Sequence, residues 1–232
     1  MENKPIDGGS LENLCYINSI TQCLLSLEQF RRIMKNLDET FHTRFVDVFE
    51  RRVQSMDWLR GMLFRQRGGK DFSYGNQADP AEAIKILFDE LFQFPNNDLL
   101  DHQIHQHVRV TCKNCNTTYT RQIENDLGDS FLRLNVPRNG SATSIQNLLS
   151  NYTSEISKRV QCNHCMKEAE AITKNEILQV GKVLIVRVNW YDDRHQLILD
   201  QEVRPTERLI INGKTFHLKS TNEHQVNIIR KI

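Results

Sequence analysis

Cys112-Lys113-Asn114-Cys115 and Cys162-Asn163-His164-Cys165 are two Cys-x2-Cys knuckles with residues 116–161 between them, and they decide how the middle of the chain is read. A two-residue gap lets two thiolates on one tight turn face a single ion. Two such turns complete the tetrahedral set of four that zinc takes in structural sites. Neither knuckle alone fixes a metal. Together Cys112, Cys115, Cys162 and Cys165 predict two β-turns, distant in sequence, joined by one Zn2+ that holds a protruding sheet where apolar burial is thin. A redox dithiol is the alternative for such spacing. His102, His105 and His107 lie close to Cys112 but read as polar strand residues, because four thiolates already satisfy zinc.

Around the knuckles, residues 131–137 alternate apolar and polar, and Val183 to Val188 is an apolar, β-branched run too short for a free-standing helix. Both read as strands, with a helix between them at residues 144–149. The first ninety-odd residues have another texture. Ile20, Cys23, Leu24 and Leu27 fall at i, i+3, i+4 and i+7, and a second stripe, Phe41, Phe45, Val48, Phe49 and Val53, keeps the same helical period. A shorter helix is expected through Trp58, Leu59, Met62 and Leu63, and another from Asp79-Pro80, where Asp caps free amides and Pro is tolerated at the first helical position. Ile84, Leu87, Phe88 and Leu91 would be its buried face. Helices first and strands afterwards make an α+β chain.

The 232 residues carry Lys+Arg 30 against Asp+Glu 29, a formal net charge of +1. A near-neutral surface argues against a protein built to neutralise nucleic acid or anionic lipid, and favours partners chosen by shape. Met1 to Gly9 holds no apolar stretch, and no later run approaches a membrane-spanning length, so a cytosolic or nuclear protein is expected. In that reducing setting the six cysteines should remain thiols, which favours metal binding or catalysis over disulfides. Cys15 is the candidate nucleophile: a loop containing Gly8-Gly9-Ser10 runs into the first helix there, and a helix N-terminus favours a thiolate. Burial as a small hydrophobe is the alternative, and Cys23 fits it.

Leu11-Glu12-Asn13-Leu14-Cys15-Tyr16-Ile17-Asn18-Ser19, with Gln22 beyond it, resembles the Cys box of ubiquitin-specific proteases, GLxNxGNTCYxNSxLQ. Gln77 to Ile84 resembles that family's QQDAxEFL helix start, the knuckles its zinc-ribbon fingers, and Val183 to Trp190 its LxxLKRF strand. Arg204-Pro205-Thr206-Glu207 and Ile211 to Leu218 resemble the run that follows. Four motifs in order span nearly the whole chain. The resemblance implies a papain-like hand in one domain: a helical thumb over 1–95, zinc-binding β fingers over 98–176, and an incomplete palm sheet over 177–232. Ubiquitin or ubiquitinated proteins are the implied partners, gripped by the fingers with the C-terminal tail between thumb and palm.

The resemblance also implies a thiolate at Cys15 that attacks the carbonyl of ubiquitin's terminal glycine, with a histidine as base and an Asp or Asn orienting it. Two departures bear on this. The family's histidine sits in a GHY motif about eight residues after an earlier His; here the earlier one is His224, and eight residues on is Ile232. A truncated catalytic domain without its His box is therefore expected, with His224 or His217 as substitute bases. Further, the chain passes from Asn13-Leu14 directly to Cys15, without the family's Gly-Asn-Thr, so the oxyanion donor is either Asn13 or Ser10 depending on the alignment. Three functions stay open: a deubiquitinase acting through Cys15, a catalytically inactive ubiquitin-binding scaffold or competitor, and a shortened chain that folds poorly.

Overall fold

The structure is a computed structural model that describes residues 15–35, 43, 47, 57–65, 72, 78–88, 103–123, 131–138, 142–191, 198, 201–221 and 226–231. The stripe from Phe41 to Val53, apart from isolated positions, and Leu91 lie outside them, as do Ser10, Asn13, His102 and His224. The chain divides into two compact units, residues 1–101 with 219–228, and 102–218 with 229–232.

The first unit holds α1 (Cys15–Ser26), α2 (Glu28–Lys35), α3 (Asp57–Arg65) and α4 (Pro80–Ile86). In α1 the predicted stripe is the buried one: Ile20, Cys23 and Leu24 are inside, with Leu27 just past the end. The helix stops where Ser26 Oγ donates to the Cys23 carbonyl at 2.6 Å, a side-chain bond that competes with the main-chain ladder. Leu27 then accepts from the Arg31 amide at 3.1 Å and α2 begins at once. α1 packs on both α2 and α4, and the Tyr16 ring meets Phe72 with centroids 5.8 Å apart. α4 begins as its sequence predicts: Asp79 Oδ1 accepts from the Ala81 amide at 2.7 Å, with Pro80 at the first helical position. Ile84, Leu87 and Phe88 are buried.

The second unit is mostly sheet. β1 (Ile104–Cys112), β2 (Thr118–Gln122), β5 (Glu155–Gln161) and β6 (Glu168–Val180) form an antiparallel sheet in the order β2-β1-β6-β5. Along β6, Ala169, Ala171 and Thr173 are buried while Glu168, Glu170 and Ile172 are exposed, the period-2 alternation of a sheet with one solvated face. A register shift between His105 and Gln106 pairs them with Gln179 and Ile177, which leaves Leu178 without an opposite residue.

A second sheet runs β3 (Leu132–Asn135), β7 (Val183–Asn189), β11 (Val226–Lys231), β10 (Lys214–Thr221) and β9 (Arg208–Ile211) in that order. β7, the predicted apolar strand, is buried at six of its seven positions, as a central strand covered on both faces must be. β3 lies parallel to it, Leu132 opposite Val186. β9 and β10 are a hairpin turned by Asn212 (φ 49) and Gly213 (φ 73), the Asn-Gly pair that a type I′ turn favours. β4 (Thr143–Ser144) pairs with β8 (Val203–Arg204) and leads into α5 (Ile145–Tyr152), where Ser144 Oγ accepts from the Asn147 amide at 3.2 Å. α5 buries Ile145, Leu148 and Leu149 in a core with Leu134, Val186, Leu209 and Phe216.

Candidate metal centre and the position of Cys15

Each knuckle is the turn of a hairpin, the first joining β1 to β2 and the second β5 to β6. The two turns have matching main-chain bonds. The Asn116 amide donates to the Cys112 carbonyl at 2.9 Å, and the Cys112 amide to Thr117 at 3.0 Å. At the other knuckle the Met166 amide donates to Cys162 at 3.0 Å, and the Cys162 amide to Lys167 at 2.9 Å. Asn116 (φ 56) and Met166 (φ 57), each directly after the second cysteine, are left-handed. That conformation curls the chain so that both cysteines of a turn face the same way. Asn tolerates it; Met does so rarely, and it is kept here by the turn's two hydrogen bonds.

Cys112, Cys115, Cys162 and Cys165 are free thiols whose sulfurs all lie within 4.8 Å of one another. Four sulfurs at about 2.3 Å from a tetrahedral zinc stand about 3.8 Å apart, and Cys115 Sγ to Cys162 Sγ is 3.8 Å. Donors are arranged for sulfur anions: the His164 amide approaches Cys162 Sγ at 3.4 Å and Asn114 Nδ2 approaches Cys165 Sγ at 3.6 Å. The Cys165 amide, with that of His164, draws the Cys162 thiol down to about 6 against burial. Thr117, through its hydroxyl and its amide, lowers Cys115. At Cys112 the Cys115 amide pulls the same way, but burial and the Cys115 and Cys162 thiols outweigh it and hold the group above its ordinary value. The set thus suits a divalent cation, and structural zinc is its cofactor. Little else holds this tip: among the described residues the only buried apolar side chain in its cluster besides cysteine is Ala169, with Tyr119 packed beside it.

A clamp that the sequence reading missed braces the two knuckles. Arg121 on β2 donates through Nη2 to Asn163 Oδ1 at 2.7 Å and to the Gln161 carbonyl, and its guanidinium lies 5.2 Å from the centroid of the Tyr119 ring. Tyr119 Oη in turn accepts from the Asn163 amide at 3.2 Å. The alternation Tyr119-x-Arg121 directly after a knuckle is its one sequence signal. His105 and His107 are strand residues on β1, as expected, while His102 lies outside the described residues; His107 Nε2 pairs with Glu176 Oε2 at 2.9 Å, on a carboxylate shared with Arg109.

Cys15 is the first residue of α1, at the end of the helix whose amides lack intrahelical partners. Cys23 is 3% exposed and takes the packing role. His217 lies on β10, half-buried, opposite Arg208. Among the described residues no helix is long and apolar enough to cross a membrane.

Comparison with known proteins agrees with the motifs. The family model described as ubiquitin carboxyl-terminal hydrolase matches residues 10–227. No curated protein matches. Among solved structures, the chain is similar to one in the SAGA Ubp8/Sgf11/Sus1/Sgf73 DUB module bound to ubiquitin aldehyde, at TM-score 0.63 and 14% identity, covering 100% of this chain and 64% of that one. It is similar again to a chain of that module bound to monoubiquitin, at TM-score 0.64 and 13% identity, covering 100% and 63%. A third structure of the module gives TM-score 0.61 at 15% identity, over 96% of this chain and 60% of that one. At such identities the likeness is one of fold, and the chain spans a little under two thirds of the length of the chains it matches. With a family model spanning nearly its whole length, this chain belongs to the ubiquitin carboxyl-terminal hydrolase family, as a member of the ubiquitin-specific protease kind.

Proposed function

We propose that the chain grips ubiquitin and cleaves it from conjugates by thiol chemistry at Cys15. The observation that carries this reading is the four-cysteine tip, its sulfurs all within 4.8 Å of one another, in a chain of this family whose first described helix opens on Cys15. The structures of the related DUB module with ubiquitin aldehyde and with monoubiquitin support it. On this reading residues 1–95 are the thumb, 98–176 the fingers and 177–232 part of the palm. Zinc, when bound, supplies no chemistry; it fixes the two knuckles as a platform for a small folded modifier. Four free thiols suit a reducing compartment, the cytoplasm or the nucleus.

The sulfur of Cys15 attacks the carbonyl carbon of ubiquitin's terminal glycine, the C–N bond breaks, and the amine leaves with a proton. Water then attacks the thioester, releasing the ubiquitin carboxylate and restoring the thiol. First-turn amides and the helix dipole favour the thiolate form of a cysteine so placed. Asn13 or Ser10 is the candidate oxyanion donor and His224 the candidate substitute base, all outside the described residues.

A second reading, a ubiquitin-binding scaffold or competitor without turnover, is favoured by the passage Asn13-Leu14-Cys15 where the family carries Gly-Asn-Thr; loss of one oxyanion donor costs about two to three orders of magnitude in rate. A ubiquitin probe with a C-terminal electrophile separates the two. An adduct at Cys15 that Cys15→Ala abolishes is the result expected for the enzyme. No adduct, with ubiquitin binding retained, would leave the scaffold; loss of binding as well would refute both.

A further inference from the structure

We infer that β5, one of the two edges of the four-stranded sheet β2-β1-β6-β5, is the surface through which the chain pairs with a second copy of itself. Among the described strands β5 pairs only with β6. Its residues Glu155, Ile156, Ser157, Lys158 and Arg159 are all exposed, on both faces of the sheet. A bare edge of this length is a template for another strand.

The main-chain groups are arranged for it. The Cys162 amide bonds to the Lys167 carbonyl, inward across the hairpin. Since inward and outward groups alternate along a strand, Val160, Lys158 and Ile156 also face β6, while Glu155, Ser157 and Arg159 direct their amides and carbonyls outward. The Gln161 carbonyl is taken by Arg121, which ends the free edge there.

The side chains favour a two-fold partner. When β5 runs antiparallel to its own copy about Ser157, each Glu155 lies opposite the other chain's Arg159, and each Ile156 opposite Lys158. All three outward-facing positions then become hydrogen-bonded pairs, giving about six main-chain bonds with Cα atoms about 5.5 Å apart, close enough for both carboxylate–guanidinium pairs to form. Ile156, 52% exposed, is covered by the Lys158 stem. The neighbouring registers are worse. Centring on Lys158 sets two ammonium groups face to face, and centring on Ile156 leaves Glu155 against Ser157 and shortens the paired strand to residues 155–157. The charges that discourage an arbitrary strand are therefore matched by this sequence in its own two-fold, an isologous contact. Neither Glu155 nor Arg159 forms an ion pair within the chain among the described residues.

Sedimentation of the zinc-loaded full chain tests this. The wild type should show a monomer–dimer equilibrium at concentrations up to about 0.5 mM. Glu155→Arg and Arg159→Glu should each weaken association about ten-fold or more, because each places like charges opposite one another twice. Mixing the two variants in equal amounts should restore the dimer, since one chain then carries two arginines at these positions and the other two glutamates. Unchanged circular dichroism and zinc content would show that the variants fold. A wild type that stays monomeric, single variants that dimerise as the wild type does, or a mixture that stays monomeric would each overturn the inference.

Discussion

Stripping the metal from the finger tip should unfold the tip and little else. Ordering the two turns, residues 112–117 and 162–167, costs ~12 kcal/mol at ~1 kcal/mol per residue. The four turn hydrogen bonds return ~4 kcal/mol, and burial of Ala169 with part of Tyr119 returns ~2 kcal/mol. The shortfall of ~6 kcal/mol is smaller than the ~10–16 kcal/mol that structural zinc contributes in small zinc domains, so the metal more than offsets it. The core around Leu134, Val186 and Phe216 contains none of the four cysteines. Amide hydrogen exchange, with and without a chelator, reads both regions at once. Without zinc, the amides of Cys112, Asn116, Cys162 and Met166 should exchange at nearly unprotected rates while those of Val183 to Asn189 keep their protection. Equal protection of the four tip amides in metal-free and metal-loaded protein would refute the reasoning.

Cys23→Ala should cost about 1–2 kcal/mol in a denaturant titration, from a small buried cavity, and leave the electrophile adduct intact, whereas Cys15→Ala should abolish the adduct with little change in stability. Burial pushes Tyr152 up to about 12, and its hydroxyl donates to Gln106 Oε1 at 2.8 Å. The folded state therefore favours the neutral phenol: its stabilisation is complete below pH 10 and lost as pH rises through 12, and an ultraviolet titration should find one late tyrosine that Tyr152→Phe removes. Asp79→Ala should cost ~1 kcal/mol through loss of the α4 cap, measured by thermal unfolding, and Asp79→Asn much less.

The parts legible in the sequence are those whose physics is local. Asp79-Pro80 and Ser144 announce helix starts because a short polar side chain reaches its own chain's next amides, and both caps are present. Val183 to Val188 is legible because only a strand buried on two faces needs so unbroken an apolar run. The four cysteines are legible because zinc fixes both their number and their spacing, and the sulfurs do converge. α2 is missed because nothing marks its start; Leu27 is apolar, and Arg31 bonds back to its carbonyl where a capping side chain would otherwise signal the break. The Asn212-Gly213 turn carries a hairpin signal of its own, since both of its residues take positive φ. Sheet order is not local at all: β3 and β7 pair in parallel across some fifty residues, and no property of either strand names the other. The Arg121 clamp is missed for the same reason, since its partners Gln161 and Asn163 belong to the other knuckle.

The most direct measurement is a calorimetric titration of ubiquitin into the zinc-loaded chain and into the same chain after chelation. One-to-one binding that disappears with the metal and returns when zinc is restored is the predicted result. Equal heats with and without zinc, or no heat from the loaded chain, would contradict a docking platform built on those four sulfurs.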